Sequence, residues 1–252
     1  MKKKVIRTIL LSTIMFVTFT KVGHAEPIGL DLNLSVGGEQ SPAEYVGNIK
    51  LLLLLTFLTF IPAIILLTTS FTRIVIVLGF TRTALSTQQS PPNQVIIALA
   101  LFMSLFIMTP VYKQVNTVAI QPYVEGKLAY KEAVDVGSKP IKNFMLNQTR
   151  EKDLALFYKA SNYEKPADRY DVPFTVLIPA FAISEIKTAF QMGFLIFVPF
   201  IVIDMIVASV LMSMGMFMLP PVTISLPFKI LLFVLADGWH LIVKSLIESF
   251  VI

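Results

Sequence analysis

Residues 194–221 read FLIFVPFIVIDMIVASVLMSMGMFMLPP. The first part, Phe194–Leu211, is long and apolar enough for a membrane-spanning helix, which needs roughly 17–25 such residues. Two of its residues do not suit lipid. Pro199 removes a helical hydrogen bond, and Asp204 would cost on the order of 2.5–3.5 kcal/mol at mid-bilayer. The stretch therefore predicts a helix that faces protein or water rather than acyl chains. It then runs into MSMGMFM, where Met212, Met214, Met216 and Met218 alternate with other residues. In an extended segment alternation puts all four on one side, whereas a helix would scatter them. Gly215 loosens the backbone there, and Leu219-Pro220-Pro221 resists continuing a helix. Thioether side chains are unbranched and compliant. Several copies in a symmetric ring would form a soft apolar iris; in a lone chain they would fill a core at a helix end. Both readings stay open.

Three further hydrophobic blocks carry flaws of the same kind. Pro62 interrupts Ile49–Leu67. Val95–Met108 falls short of a span. Leu226–Ile247 holds Lys229, Asp237 and His240. An oligomer that shields these groups accounts for all of them together. Composition agrees: of 252 residues, 55% are hydrophobic and 15% charged, against about 45–50% and 25% in soluble domains. This excludes disorder and fibrous repeats and predicts an all-α, membrane-associated chain. Cysteine is absent, which removes disulfides, thiolate zinc sites, iron–sulfur clusters and thiol catalysis. No GxSxG elbow, HExxH helix or phosphate-cradling glycine loop occurs, so no catalytic, metal or cofactor-binding residues are assigned.

The first segment reads as an address. Lys2, Lys3, Lys4 and Arg7 precede an apolar run, Ile9 to Phe19, followed by Gly23-His24-Ala25. This is the pattern of a secretory signal peptide cut between Ala25 and Glu26. Its removal takes five basic residues and no acidic one, leaving 16 of each sign. The formal charge of +5 thus belongs to the signal, and a nucleic-acid partner is not expected. His240 is then the last histidine, which rules out a multi-histidine metal site within one mature chain.

Five segments are expected: the signal, 1–25; a polar acidic leader, 26–48; a first hydrophobic helical hairpin, 49–111; a polar insertion, 112–173; and a second hydrophobic hairpin, 174–252. The insertion shows no strand alternation and reads as helical. Ser138 is read as capping a helix whose first turn holds Pro140. Ile141, Phe144, Met145, Leu154 and Phe157 recur at helical spacing, so one or two amphipathic helices there need a partner, either the chain itself or a neighbouring subunit. The connection 68–94 carries Arg73 and Arg82 and no acid, which suits the inside of a membrane. The insertion then lies outside. Both hairpin tips hold a proline pair, Pro91-Pro92 and Pro220-Pro221.

Asp204 and Asp237 are the first functional candidates. Either each pairs with Lys229 or Lys187 between packed helices, or the two relay protons in a polytopic proton-coupled solute transporter. His240 lies three residues after Asp237 and would share its helical face.

The run PAFAISEIKTAFQMGF, Pro179–Phe194, resembles the signature of the FliP family of flagellar biosynthetic proteins position by position. The stretches that follow, PFIVIDMIVASVLMSMGMFMLPP and LPFKILLFVLADGW, are similar to the same family. So are TSFTRIVIVLGFTRTAL and SPPNQVIIALALFMSLFIMTP upstream. The resemblance implies a non-enzymatic subunit of the type III export gate: a pentamer joined by FliQ and FliR, working with FlhB and FlhA. Unfolded flagellar subunits would pass through its pore. It further implies that Met212, Met214, Met216 and Met218 form the pore gasket, and that Glu185 and Lys187 lie in the signature as candidates for contacts between subunits or for local surface pairing. The location implied is the bacterial inner membrane at the flagellar basal body, with the insertion on the periplasmic side. Injectisome relatives share these motifs, and their equivalent subunit is the alternative; the signal and acidic leader favour the flagellar branch.

Overall fold

A computed structural model of the chain describes residues 42–161, 163 and 169–250. The signal segment, its Ala25–Glu26 junction and most of the leader lie outside the described residues. Among those described, every regular element is helical. The protein is all-α.

Contacts divide the chain after Phe57 into two units. Helix α1, Pro42–Leu67, includes Pro62 and starts before the hydrophobic block, so residues 42–48 are its first turns. Leu52, Leu55 and Phe57 in the first unit are exposed, as are Phe60 and Ile64 in the second. Tyr45–Leu67 is apolar and long enough to cross a membrane.

The second unit is organised on a 40-residue helix. Its elements are α2, Phe71–Ala84; α3, Asn93–Val115, running through a π-helical stretch Asn116–Ile120 into the single-turn α4, Gln121–Val124; α5, Tyr130–Gln148; α6, Glu151–Ser161; α7, Phe174–Ser213; α8, Pro221–Leu235; and α9, Gly238–Glu248. Helix α7 packs against α2, α5, α6 and α8. Asn93–Val124 and α7 are each apolar and long enough to span a membrane, and α8 with α9 makes a further candidate pair bent by 63°.

Four sequence expectations change. The connection 68–94 contains helix α2. At 14 residues it rises only about 21 Å, too short to span, and apolar runs of that length form buried core helices. Ile74, Val77 and Leu78 are wholly buried in it. The second block continues as helix well beyond Met108, because helix propagation does not require the added residues to be apolar. Ser138 does not cap a helix: α5 runs through it and through Pro140, and its hydroxyl donates to the Asp135 carbonyl at 2.8 Å. The fourth block is two helices, broken at Asp237, whose φ of 50° is left-handed. A Cβ on Gly238 would stand 2.3 Å from the Phe233 ring, so any larger residue there would force that ring to move.

The apolar face of α5 finds its partner within the chain. Phe144 and Met145 are buried, and the Phe144 ring lies 6.0 Å from Phe181 of α7 and 6.3 Å from Phe250. Helices α2 and α7 meet through Phe80, whose ring contacts Phe190 at 5.0 Å and Phe197 at 5.9 Å, edge-on in both cases. Gly193 makes this approach possible. A Cβ there would sit 2.6 Å from Phe80 Cγ and 3.0 Å from its Cβ, near the root of that side chain, where it cannot swing clear. Gly193→Ala should therefore destabilise the detergent-solubilised protein by about 1–3 kcal/mol in thermal unfolding. Gly79→Ala, which meets nothing within 4 Å, should be neutral or stabilising by up to about 1 kcal/mol.

Candidate functional site

Successive helical residues point about 100° apart. Ser184 and Glu185, adjacent on α7, therefore serve different neighbours. Glu185 meets α2: Arg73 Nε donates to its Oε2 at 3.0 Å, and Arg73 Nη2 pairs with Oε1. The rest of the guanidinium is used as well. Nη1 donates to the Ser249 carbonyl at 2.8 Å and to its hydroxyl at 3.0 Å, and Nη2 donates to Gln148 Oε1 at 3.0 Å. The Phe250 ring centre lies 3.9 Å from the guanidinium carbon. Arg73 is 2% exposed and Glu185 not at all. Charges this deep are tolerated only when paired with good geometry and with their other donors satisfied, and here both conditions hold.

Ser184 meets the α5–α6 turn. Its hydroxyl accepts the Arg150 backbone N–H at 3.1 Å and donates to Asp153 Oδ2 at 2.6 Å, where Arg150 Nη2 also lies at 2.6 Å. Burial tends to raise the Asp153 carboxyl. The Ser184 and Arg150 hydrogen bonds, with the charges of Arg150 and Lys152, outweigh it and hold the group below its ordinary value.

The second buried pair joins α7 to α8. Lys229 Nζ lies 2.6 Å from Asp204 Oδ2 and donates to Ser86 Oγ at 2.9 Å; Ser225 Oγ donates to Asp204 Oδ1 at 2.5 Å. Lys229 is buried and Asp204 only partly exposed. Of the two lysines considered as partners, Lys229 fills the place. Lys187 is exposed on the other half of α7, beside Lys152 and Arg150. Asp237 is exposed at the α8–α9 break and makes no ion pair among the described residues. Because Asp237 lies outside α9, it does not share a helical face with His240. No group of three or more potential metal ligands occurs among the described residues.

The methionine segment is not extended. Met212 belongs to the last turn of α7, and the chain then turns through Gly215, at φ 77°, to Pro220. Met212, Met214, Met216 and Met218 are nonetheless all exposed, Met218 at 98%, so they fill no core within this chain. Between α7 and α8 behind them lies an apolar groove of about 420 Å³, lined by Ile206, Val210 and Phe228.

Sequence reasoning missed Arg73, Ser184, Ser86 and Ser225. The signal for Arg73 was present: one charge inside the apolar run TSFTRIVIVLGF. Nothing local marked the serines. Glu185, a candidate for contacts between subunits, has its carboxylate occupied inside the chain.

Glu185→Gln should strand a buried guanidinium and cost about 3–5 kcal/mol in thermal unfolding, while Arg73→Met with Glu185→Leu should recover most of that loss. Asp153 supplies a pH test. Its folded pKa lies below the unfolded value of about 3.9, so its contribution is complete above that value and is lost as pH falls through the folded one. Amide exchange should find α6 still docked near pH 4 and released only in stronger acid, and Asp153→Asn should abolish that acid step.

Comparison with known proteins follows the same segments. Residues 54–246 match the FliP family. The flagellar biosynthetic protein FliP of Bacillus subtilis is 57% identical over 217 residues, covering 86% of this chain and 98% of that protein. Those of Caulobacter vibrioides and Borreliella burgdorferi are 49% and 50% identical over 219 residues each; the matches cover 87% and 86% of this chain, and 82% and 85% of the relatives. With most of the chain matched at this identity, it belongs to the FliP family.

Proposed function

We propose that the chain is a core subunit of the flagellar type III protein export gate, which it forms with its own copies and with partner proteins around a pore for unfolded flagellar subunits. One observation carries the reading. Four compliant methionines stand exposed on a turn at the end of a 40-residue apolar helix, while the costly charges Arg73, Glu185, Asp204 and Lys229 are matched internally. A chain that pairs its charges inside and leaves its apolar groups outside is made to be covered. Phe194, Met205, Ile206 and Leu235 add to that unpartnered surface.

In this reading five copies assemble with FliQ and FliR, in contact with FlhB and FlhA, in the inner membrane at the basal body. Residues 1–25 are removed on export of the N-terminus, and α5 and α6 lie on the periplasmic side. The gate has no enzymatic role. An uncharged ring of Met212, Met214, Met216 and Met218 closes around the path, excluding ions at rest and moulding to a passing polypeptide. The proton-coupled transporter gains nothing from the geometry, since Asp204 is engaged by Lys229 and Ser225, and Asp237 forms no ion pair among the described residues.

Replacing the four methionines together with alanine should raise resting ion conductance severalfold in membranes carrying the assembled gate, with assembly checked by native mass. Unchanged sealing in an intact assembly would refute the gasket. A transport-active monomer would refute the gate itself.

A further inference from the structure

Beside the Ser184–Asp153 contact, α6 and the first half of α7 enclose an open groove of about 730 Å³. Its polar end holds three cations, Arg150, Lys152 and Lys187. Two carboxylates lie on the same turn of α6. Asp153 is already engaged by Arg150 and Ser184, and Glu151 is exposed. Neither lysine forms an ion pair among the described residues, and the three cations outnumber the two carboxylates at the groove mouth.

The rest of the groove is apolar. Leu156, Ile183, Ile186 and Phe190 line it and are all exposed. A second groove of about 440 Å³ shares Lys187 and Phe190 and continues to Phe194 and Leu195. From Lys187 to Leu195 the helix rises about 12 Å. Cations at one end and a greasy track at the other are the complement of one amphipathic molecule.

We infer that this groove binds an anionic phospholipid, its phosphate between Lys152 and Lys187 and an acyl chain along Ile186, Phe190 and Phe194. Charge complementarity selects the occupant. A zwitterionic phospholipid carries the same phosphate but brings its own ammonium group beside the two lysines, which offsets the attraction, and a small soluble anion would leave the apolar track bare. Basic clusters beside apolar helices attract anionic headgroups in this way. The headgroup end of this groove lies on the half of α7 away from the methionine turn, whereas Phe194 also belongs to the surface the export reading assigns to neighbours; lipid retention by the isolated chain tests the groove without testing that reading.

The test uses the full chain in neutral detergent, titrated with phosphatidylglycerol or phosphatidylcholine and followed by native mass spectrometry. Phosphatidylglycerol should be retained in preference. Lys152→Gln and Lys187→Gln should each weaken its retention about fivefold, and about thirtyfold together. The arginine pair, Lys152→Arg with Lys187→Arg, should keep it. Phe190→Ala should weaken both lipids, and millimolar inorganic phosphate should not compete. Both lysines are exposed, so the glutamine variants should fold as the parent does. Equal retention of the two lipids, a preference that survives loss of both lysines, or displacement by phosphate alone would overturn the proposal.

Discussion

The buried pairing of Arg73 with Glu185 is the constraint on which the second unit depends. A single guanidinium ties α2 to α7, to the end of α5 through Gln148, and to the turn after α9 through Ser249 and Phe250. These elements meet through apolar faces, and apolar packing is non-directional, so alone it would let the helices slide past one another. A planar charged fork with fixed partners does not permit that. Ser184, one residue away, docks the turn before α6 in the same layer. Much of the register of the fold is thus written in two adjacent positions of one helix.

Lower down α7 a different balance holds. Asp204 and Lys229 neutralise each other, with serines taking their spare hydrogen-bonding capacity, and the surface beyond them on α7 is largely apolar and exposed. With the charges satisfied internally, covering that outer surface would carry no buried-charge cost. The methionine turn belongs to that surface. Its softness suits a contact whose shape changes, whereas the tight Phe80–Gly193 approach above it suits one that does not.

Several features were legible from residue order alone. Composition and hydrophobic blocks determined an all-α, membrane-associated chain; helical spacing in the insertion determined that it is helical; and the matched segments determined the family. The oddity of charges within greasy helices was visible as well, because hydropathy is a local property and one wrong residue in it stands out. Only the tertiary structure decided who answers whom. Arg73 and Glu185 are separated by 112 positions, and Lys229 and Ser86 by 143. It also decided that 68–94 hides a core helix, that the last block breaks at Asp237, and that the methionines end a helix in a turn rather than run extended. Such outcomes depend on close approaches between distant segments, like Gly193 against Phe80, and spacing along a chain carries no record of which surfaces will meet.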